Sequence, residues 1–365
     1  MSDDKHRMID FEIIPPDPPN EGLMFVDHSK TGRSGHLGHA LVEYEPGKIL
    51  AFYANCSDAN KGHGAVGWTE YRRSVDGGET WSEPIELEHA KRTFDDGQRR
   101  SVFCEKAVLA PDGAIVVSTL ECDLQTNPGW HPHYEPMSLR STDGGETWDD
   151  PVLLSDEPGR VYDMMRLGDE IIALEFCNDT ADTFTGTRPE HVYNLYVSTD
   201  SGKSFSLRST LPFDTEGRGY GTMSVLPDGS LIAYVYDIND EQNLDYVISD
   251  DEGRTWSEPD TAFFERQIRN PQMTAFKDGY VLHGRSGSRG PEDMSGHFIL
   301  YTSRDGLNWD AGQYLRMQQP GAGAGAYSNA IVVGALDPDT PERVLIQASH
   351  AYEQSKTNIL HWWLV

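Results

Sequence analysis

Two patterns of apolar and polar residues recur along the chain, out of phase with one another. In the first, a short apolar run enters a Pro-Asp-Gly-like turn and a second apolar run leaves it. The copies span 40–53, 107–118, 164–174, 223–233 and 273–282, and a sixth joins 330–334 to 343–346 across a longer turn. Short apolar runs separated by Gly and Pro predict hairpins of buried strands.

The second pattern is a phrase built on Ser, Asp, Gly and an aromatic residue. It occurs at Ser74, Asp76, Gly78 and Trp81, at Ser141, Asp143, Gly145 and Trp148, at Ser198, Asp200, Gly202 and Phe205, and at Ser249, Asp251, Gly253 and Trp256. A fifth copy, Ser303, Asp305 and Trp309, is one residue shorter. Asp accepts hydrogen bonds from a turn's own amides, and Gly takes the left-handed position. The phrase is therefore expected to be scaffold, with its aromatic folded back to cap the core of its own blade.

Six inner hairpins, each followed by two outer strands, predict an all-β chain: a six-bladed β-propeller of four-stranded antiparallel blades. No helical periodicity is evident. The expected single domain spans 1–365, with blades at 35–90, 100–155, 158–212, 216–262, 267–315 and 325–365. The last blade lacks an Asp phrase, so segment 8–14 is expected to supply its outer strand, closing the ring and removing a free sheet edge.

The Asp phrases together with these hairpins resemble the sialidase (neuraminidase) superfamily, six-bladed propellers built on Asp-box or bacterial neuraminidase repeats. The resemblance covers essentially the whole chain. It implies a carbohydrate-active enzyme with three arginines on a substrate carboxylate, a Tyr nucleophile activated by a Glu, and an Asp acid/base. Tyr327, between Ala326 and Ser328, matches the segment of the nucleophile, and Arg285, between Gly284 and Ser286, matches one arginine.

Other positions depart from that pattern. His39 stands where the first arginine is expected, and Asn55 or Cys56 where another falls. His63 lies near the acid/base position with Asp58 close by, and Asn270 replaces the activating Glu. An ordinary sialidase activity is therefore not expected, and a sialic-acid reporter should turn over poorly.

In a propeller the strands nearest the axis bring their leading residues to one mouth of the channel. Aligning the hairpins on their turns puts His39, Glu105, Tyr162, Tyr220, Asn270 and Tyr327 just before the inner strands. Asn55, Glu121, Asn178, Asp237, Arg285 and His350 follow the second strands, with Arg160, Arg218 and Arg269 close by. Polar residues converging in a concavity mark a site. The candidate catalytic residues are Tyr327, His63, His39, Asp58 and Glu105. The candidate substrate-binding residues are Arg285, Arg269, Arg218, Arg160, Asn55, Tyr162, Glu121, Asp237 and Asn270.

His39 and His63 are expected to titrate near neutrality and so to move protons. His131 and His133 lie on a loop facing the same mouth. These histidines, with Glu105 or Glu121, come from separate loops without diagnostic metal spacing, so neither metal nor cofactor is assigned. The four arginines are expected to form a local basic pocket that draws an acidic ligand. Segments 286–295 and 320–326, rich in Gly, Ser and Ala, read as flexible loops beside it.

Composition narrows the partners. With 30 Lys and Arg against 59 Asp and Glu, the net charge of −29 argues against nucleic acid and anionic membrane surfaces. The 37% of hydrophobic residues suffice for a core. No run of eighteen apolar residues occurs, the N-terminus has no apolar h-region, and four cysteines lack C-x-x-C spacing. A cytoplasmic location is expected.

The functional expectation is a sialidase-like glycoside hydrolase for an acidic or unusual terminal sugar. A polysaccharide lyase acting on uronate glycans through Tyr and His remains open, as does a sugar-binding propeller without catalysis.

Overall fold

Each paired apolar run forms a hairpin, and in the computed structural model the hairpins assemble into six antiparallel sheets. The structure describes residues 7–16, 21–57, 66–96, 100–123, 134–177, 191–215, 217–237, 239–286, 297–316, 325–353 and 355–365.

Near the N-terminus lie β1 (Ile13–Ile14) and β2 (Leu23–Val26). The first blade follows as β3 (Leu41–Glu45), β4 (Lys48–Cys56), β5 (Gly67–Ser74) and β6 (Ile85–Glu86), and the second as β7 (Arg100–Leu109), β8 (Ile115–Asp123), β9 (Met137–Ser141) and β10 (Val152–Leu153). The third is β11 (Gly159–Leu167), β12 (Glu170–Cys177), β13 (Val192–Ser198) and β14 (Ser206–Leu211). The fourth is β15 (Arg218–Val225), β16 (Leu231–Asp237), β17 (Asn243–Ser249) and β18 (Asp260–Phe263). The fifth is β19 (Arg269–Phe276), β20 (Gly279–Arg285), β21 (Phe298–Ser303) and β22 (Gln313–Arg316), and the last holds β23 (Ser328–Val333), β24 (Arg343–Glu353) and β25 (Lys356–Leu364).

The outer edge of the last blade comes from the N-terminus, in two pieces. Ile13 pairs with Leu364 in β1, and Leu23 with His361 in β2. Pro15, Pro16, Pro18 and Pro19 lie between the two strands, and proline lacks the amide a continuous strand would need. The six-bladed propeller is thus closed by pairing the start of the chain with its end.

The Asp phrase works as a clasp between blades as well as a turn. Ser74 Oγ donates to Asp76 Oδ1 at 2.8 Å and accepts from the Gly78 amide at 2.8 Å, while the Thr80 amide donates to Asp76 at 2.9 Å. The same contacts recur around Asp143, Asp200 and Asp251. In these four phrases the glycine two residues after the Asp has positive φ and presses on the preceding blade. A methyl group on Gly78 would meet the Trp363 ring at 2.7 Å, one on Gly145 would meet Leu50 at 2.6 Å, and one on Gly253 would meet Leu195 at 2.3 Å.

The aromatic residue also faces the preceding blade rather than capping its own, which corrects the expectation. Trp148 of the second blade packs edge-on against Phe52 of the first at 5.8 Å, and Trp309 of the fifth against Tyr234 of the fourth at 6.3 Å.

The last blade has no such phrase, and segment 8–14 takes its place. The Met8 amide donates to Thr302 Oγ1 at 2.7 Å, Phe11 packs on Phe276 at 6.3 Å, and Ile9 is buried with Phe276, Val281 and Phe298 of the fifth blade.

One helix, α1 (Glu88–Asp95), was not expected. It buries Ala90 and sets Phe94 5.3 Å from Trp68. Eight residues make about two turns, too few to establish a 3.6-residue period. No helix among the described residues is long and apolar enough to cross a membrane.

Candidate functional site

The axial site is built by β-bulges. A regular strand sends alternate residues to opposite faces, so it cannot aim two neighbours at the axis. Four inner strands break this rule at equivalent places, with register shifts at Cys104/Lys106, Val161/Asp163, Gly219/Gly221 and Arg269/Gln272. The residues inside these shifts are Glu105, Tyr162, Tyr220 and the pair Asn270 and Pro271. A bulge adds a residue and re-aims its side chain. Asn270 has φ +52, the left-handed region that Asn tolerates better than most residues.

Glu105, Tyr162, Tyr220 and Asn270 converge with His39 and Tyr327 on an axial cavity of about 30 Å³. The Tyr220 and Tyr327 hydroxyls are hydrogen-bonded at 3.0 Å. Tyr162 packs on Tyr220 with ring centroids 4.8 Å apart. Arg160 donates through Nε and Nη2 to Glu105 Oε2, at 3.0 and 2.6 Å, and its guanidinium lies 5.3 Å from the Tyr220 ring. Arg285 lies 5.7 Å from the Tyr327 ring centroid.

Several polar atoms are buried there without hydrogen-bond partners among the described residues. They are His39 Nε2, Glu105 Oε1, Arg160 Nη1 and both amide atoms of Asn270. Interiors seldom leave such groups unsatisfied.

The electrostatics correct two expectations. Burial pulls His39 down to about 3, so it is a neutral imidazole at neutral pH and not a proton carrier there. The arginines do not form an uncompensated basic pocket. Burial works most strongly against the charge of Arg160, but Glu105 together with the Tyr220, Tyr162 and Tyr327 phenols more than offsets it and keeps the guanidinium ionised. Arg269 lies 3.2 Å from Glu241 and donates to the Tyr236 hydroxyl at 3.1 Å. Arg218 donates through Nε to Asp245 at 2.8 Å and lies 3.7 Å from Asp237. Arg285 is pushed below its ordinary value, by burial first and then by neighbouring Arg269. Burial and then Tyr327 push the Tyr220 phenol well above its ordinary value, so it stays protonated.

Other candidates lie elsewhere. Glu121 is not on the axial cavity: it lines a separate pocket of about 440 Å³ beside α1, 3.7 Å from His89 and 3.8 Å from Arg100. Asn55 is held by Arg33 at 2.7 Å and Glu70 at 2.5 Å. Asp237 is engaged with Arg218 and accepts the Asn239 amide at 2.8 Å. His350 contacts Arg316 at 3.1 Å. Asp58, His63, His131, His133, Asn178 and most of segments 286–295 and 320–326 lie outside the described residues. No group of metal-ligating side chains occurs among the described residues.

One layer was missed in the sequence. Below the mouth, Lys106 Nζ bonds Gln272 Oε1, Asn329 Oδ1 at 2.9 Å and Asp163 at 3.1 Å, while Asp163 also accepts from Thr222 at 2.8 Å. Charged Lys106 and Asp163 inside apolar strands were the available signal. This plug separates the mouth from a larger cavity of about 540 Å³, lined chiefly by Leu, Val, Ile and Met, at the other end of the axis.

No family model matches the sequence, and no curated protein matches it. Among solved structures, the chain is similar to a protein of unknown function from Dyadobacter fermentans DSM 18053. That match has 15% identity and a TM-score of 0.70 over 94% of this chain and 98% of that one. It is similar to the Hadza microbial sialidase Hz136 at 16% identity and a TM-score of 0.67, over 93% and 68% of the two chains. It is also similar to the intramolecular trans-sialidase of Ruminococcus gnavus in complex with oseltamivir carboxylate. There the identity is 13% and the TM-score 0.60, over 94% and 96%. At such identities the likeness is one of architecture: the chain has the six-bladed β-propeller fold found in sialidases.

Proposed function

We propose that the protein is a carbohydrate-active enzyme, a glycoside hydrolase of the sialidase type that acts on an acidic terminal sugar but is not an ordinary sialidase. The observation that carries this reading is the set of buried, unpartnered polar atoms around the Tyr220–Tyr327 hydroxyl pair. A sugar hydroxyl would supply partners for them.

Arg285, disfavoured by burial and by Arg269, is relieved by an incoming carboxylate. Tyr327 Oη bonds to the anomeric carbon as the glycosidic bond breaks. Its proton goes to Glu105 Oε1, the carboxylate that lines the same cavity. Asn270, at the slot where the resemblance implies a glutamate, cannot take it. The leaving oxygen receives its proton from Asp58 or His63. Water then delivers hydroxide to the anomeric carbon and its proton to that residue, and Glu105 returns a proton to Tyr327.

The test is release of a fluorescent aglycone from a panel of uronic-acid and nonulosonic-acid glycosides. Turnover of at least one is expected, falling at least about 100-fold in Tyr327→Phe. Undiminished turnover in that variant counts against the reading. Asn270 in place of a carboxylate favours one second reading, β-elimination on a uronate, in which no covalent intermediate has to be activated. It would reveal itself as a new ultraviolet-absorbing double bond.

A further inference from the structure

The cavity under Tyr327 is small and chemically mixed. Its unpartnered atoms include a fixed donor on Arg160, a donor and an acceptor on the Asn270 amide, and an acceptor on Glu105. His39 Nε2 adds a donor or an acceptor according to its tautomer. His39, Arg160 and Asn270 are only 4%, 4% and 3% exposed, so bulk water does not satisfy them. Arg160 and Asn270 come from different blades, and the bulges in β7 and β19 place Glu105 and Asn270.

A carboxylate does not suit this set, because it brings acceptors only and would face Glu105 Oε1. A methyl group would leave every atom unsatisfied. A hydroxyl both donates and accepts. About 30 Å³ holds one or two water-sized groups and is too small for an acylamino group.

We propose that this chamber reads one hydroxyl group of the bound sugar and holds a water molecule when no sugar is bound. Asn270 and Arg160 donate to that oxygen, and Glu105 or the Asn270 carbonyl accepts its proton. The chamber sets specificity by penalising sugars that lack the hydroxyl, since their binding leaves buried polar groups unpaired. It equally excludes sugars whose hydroxyl is alkylated, because the space below is closed by the Lys106, Gln272 and Asn329 layer. This inference rests on the proposed function, because it assumes that a sugar enters the axial mouth.

The experiment uses the full chain and calorimetric titration with acidic monosaccharides, namely hexuronic and nonulosonic acids. The sugar that binds is followed by its singly deoxygenated and singly O-methylated derivatives. One position is expected at which removing the hydroxyl weakens binding by about 100-fold or more, with O-methylation at least as severe. In Asn270→Gly, which keeps the left-handed backbone without the amide, that ratio should fall below about 10-fold.

Binding of a parent sugar with every deoxy derivative within about threefold overturns the chamber's role and leaves the proposed function standing. Failure of the wild-type protein to bind any acidic sugar overturns the proposed function, and this inference with it. A crystal structure of the free protein should show an ordered water touching at least three of the four residues, whereas side chains closed on one another would contradict the chamber.

Discussion

The hydroxyls of Tyr220 and Tyr327 meet at 3.0 Å across the propeller axis, although 107 residues separate them in the chain. Tyr220 is the extra residue of a bulge in the fourth blade, and Tyr327 precedes the inner strand of the sixth. Ring closure is what brings them together. Burial keeps Tyr220 protonated; under the proposed function it orients the Tyr327 oxygen and leaves Tyr327 as the nucleophile.

Replacing each phenol separates these roles. Tyr327→Phe should reduce turnover at least about 100-fold, and Tyr220→Phe only about 10-fold, because the second removes orientation and not the reacting atom. Each should lower stability by about 1 kcal/mol, the scale of one hydrogen bond. Steady-state kinetics and urea unfolding on the same preparations check both statements.

The Glu105–Arg160 pair is buried, and breaking one side strands a charge. Glu105→Gln should destabilise the protein by about 3–5 kcal/mol in urea titrations. Combining it with Arg160→Met removes both charges and should restore most of that loss. A single substitution without a stability change would show that the pair carries no such load.

Clasping between blades predicts a contrast between two glycines. Gly78 and Gly113 both have positive φ, but a methyl group on Gly78 meets the buried Trp363 ring whereas one on Gly113 meets nothing. Gly78→Ala should therefore cost about 1–3 kcal/mol more than Gly113→Ala. Equal losses in thermal unfolding would mean that only backbone strain matters.

Glu175 gives a pH signature away from the site. Burial pushes its carboxyl up to about 7 from the ordinary 4.5, so the folded state binds a proton more tightly than the unfolded state. That contribution is fully present below pH 4.5 and is lost as pH rises through about 7. Glu175→Gln should consequently stabilise the protein relative to wild type at pH 8 by up to about 3 kcal/mol, and much less at about pH 4.5. Urea midpoints at the two pH values test the sign.

The fold was readable because its signals repeat. Aligning six hairpins on their turns located Glu105, Tyr162, Tyr220, Asn270 and Tyr327, since each sits at a similar offset from its turn. Two carboxylate partners of the arginines, Glu241 and Asp245, were not readable, because they lie on a connecting turn and an outer strand that the hairpin alignment does not include. Glu121 was misplaced for a related reason: an eight-residue helix, invisible to periodicity, folds over the end of β8 and encloses that side chain with His89. The state of His39 depends on burial by residues from distant blades, which residue type alone does not encode.

The most direct measurement is a crystal structure of the Tyr327→Phe protein with an acidic monosaccharide bound. The sugar is expected at the axial mouth, with its carboxylate on Arg285 and its anomeric carbon within about 3.5 Å of the point where the Tyr327 hydroxyl oxygen stands in the wild-type protein. A sugar seated instead in the pocket beside α1, or in the apolar cavity beyond Lys106, would contradict the proposed function.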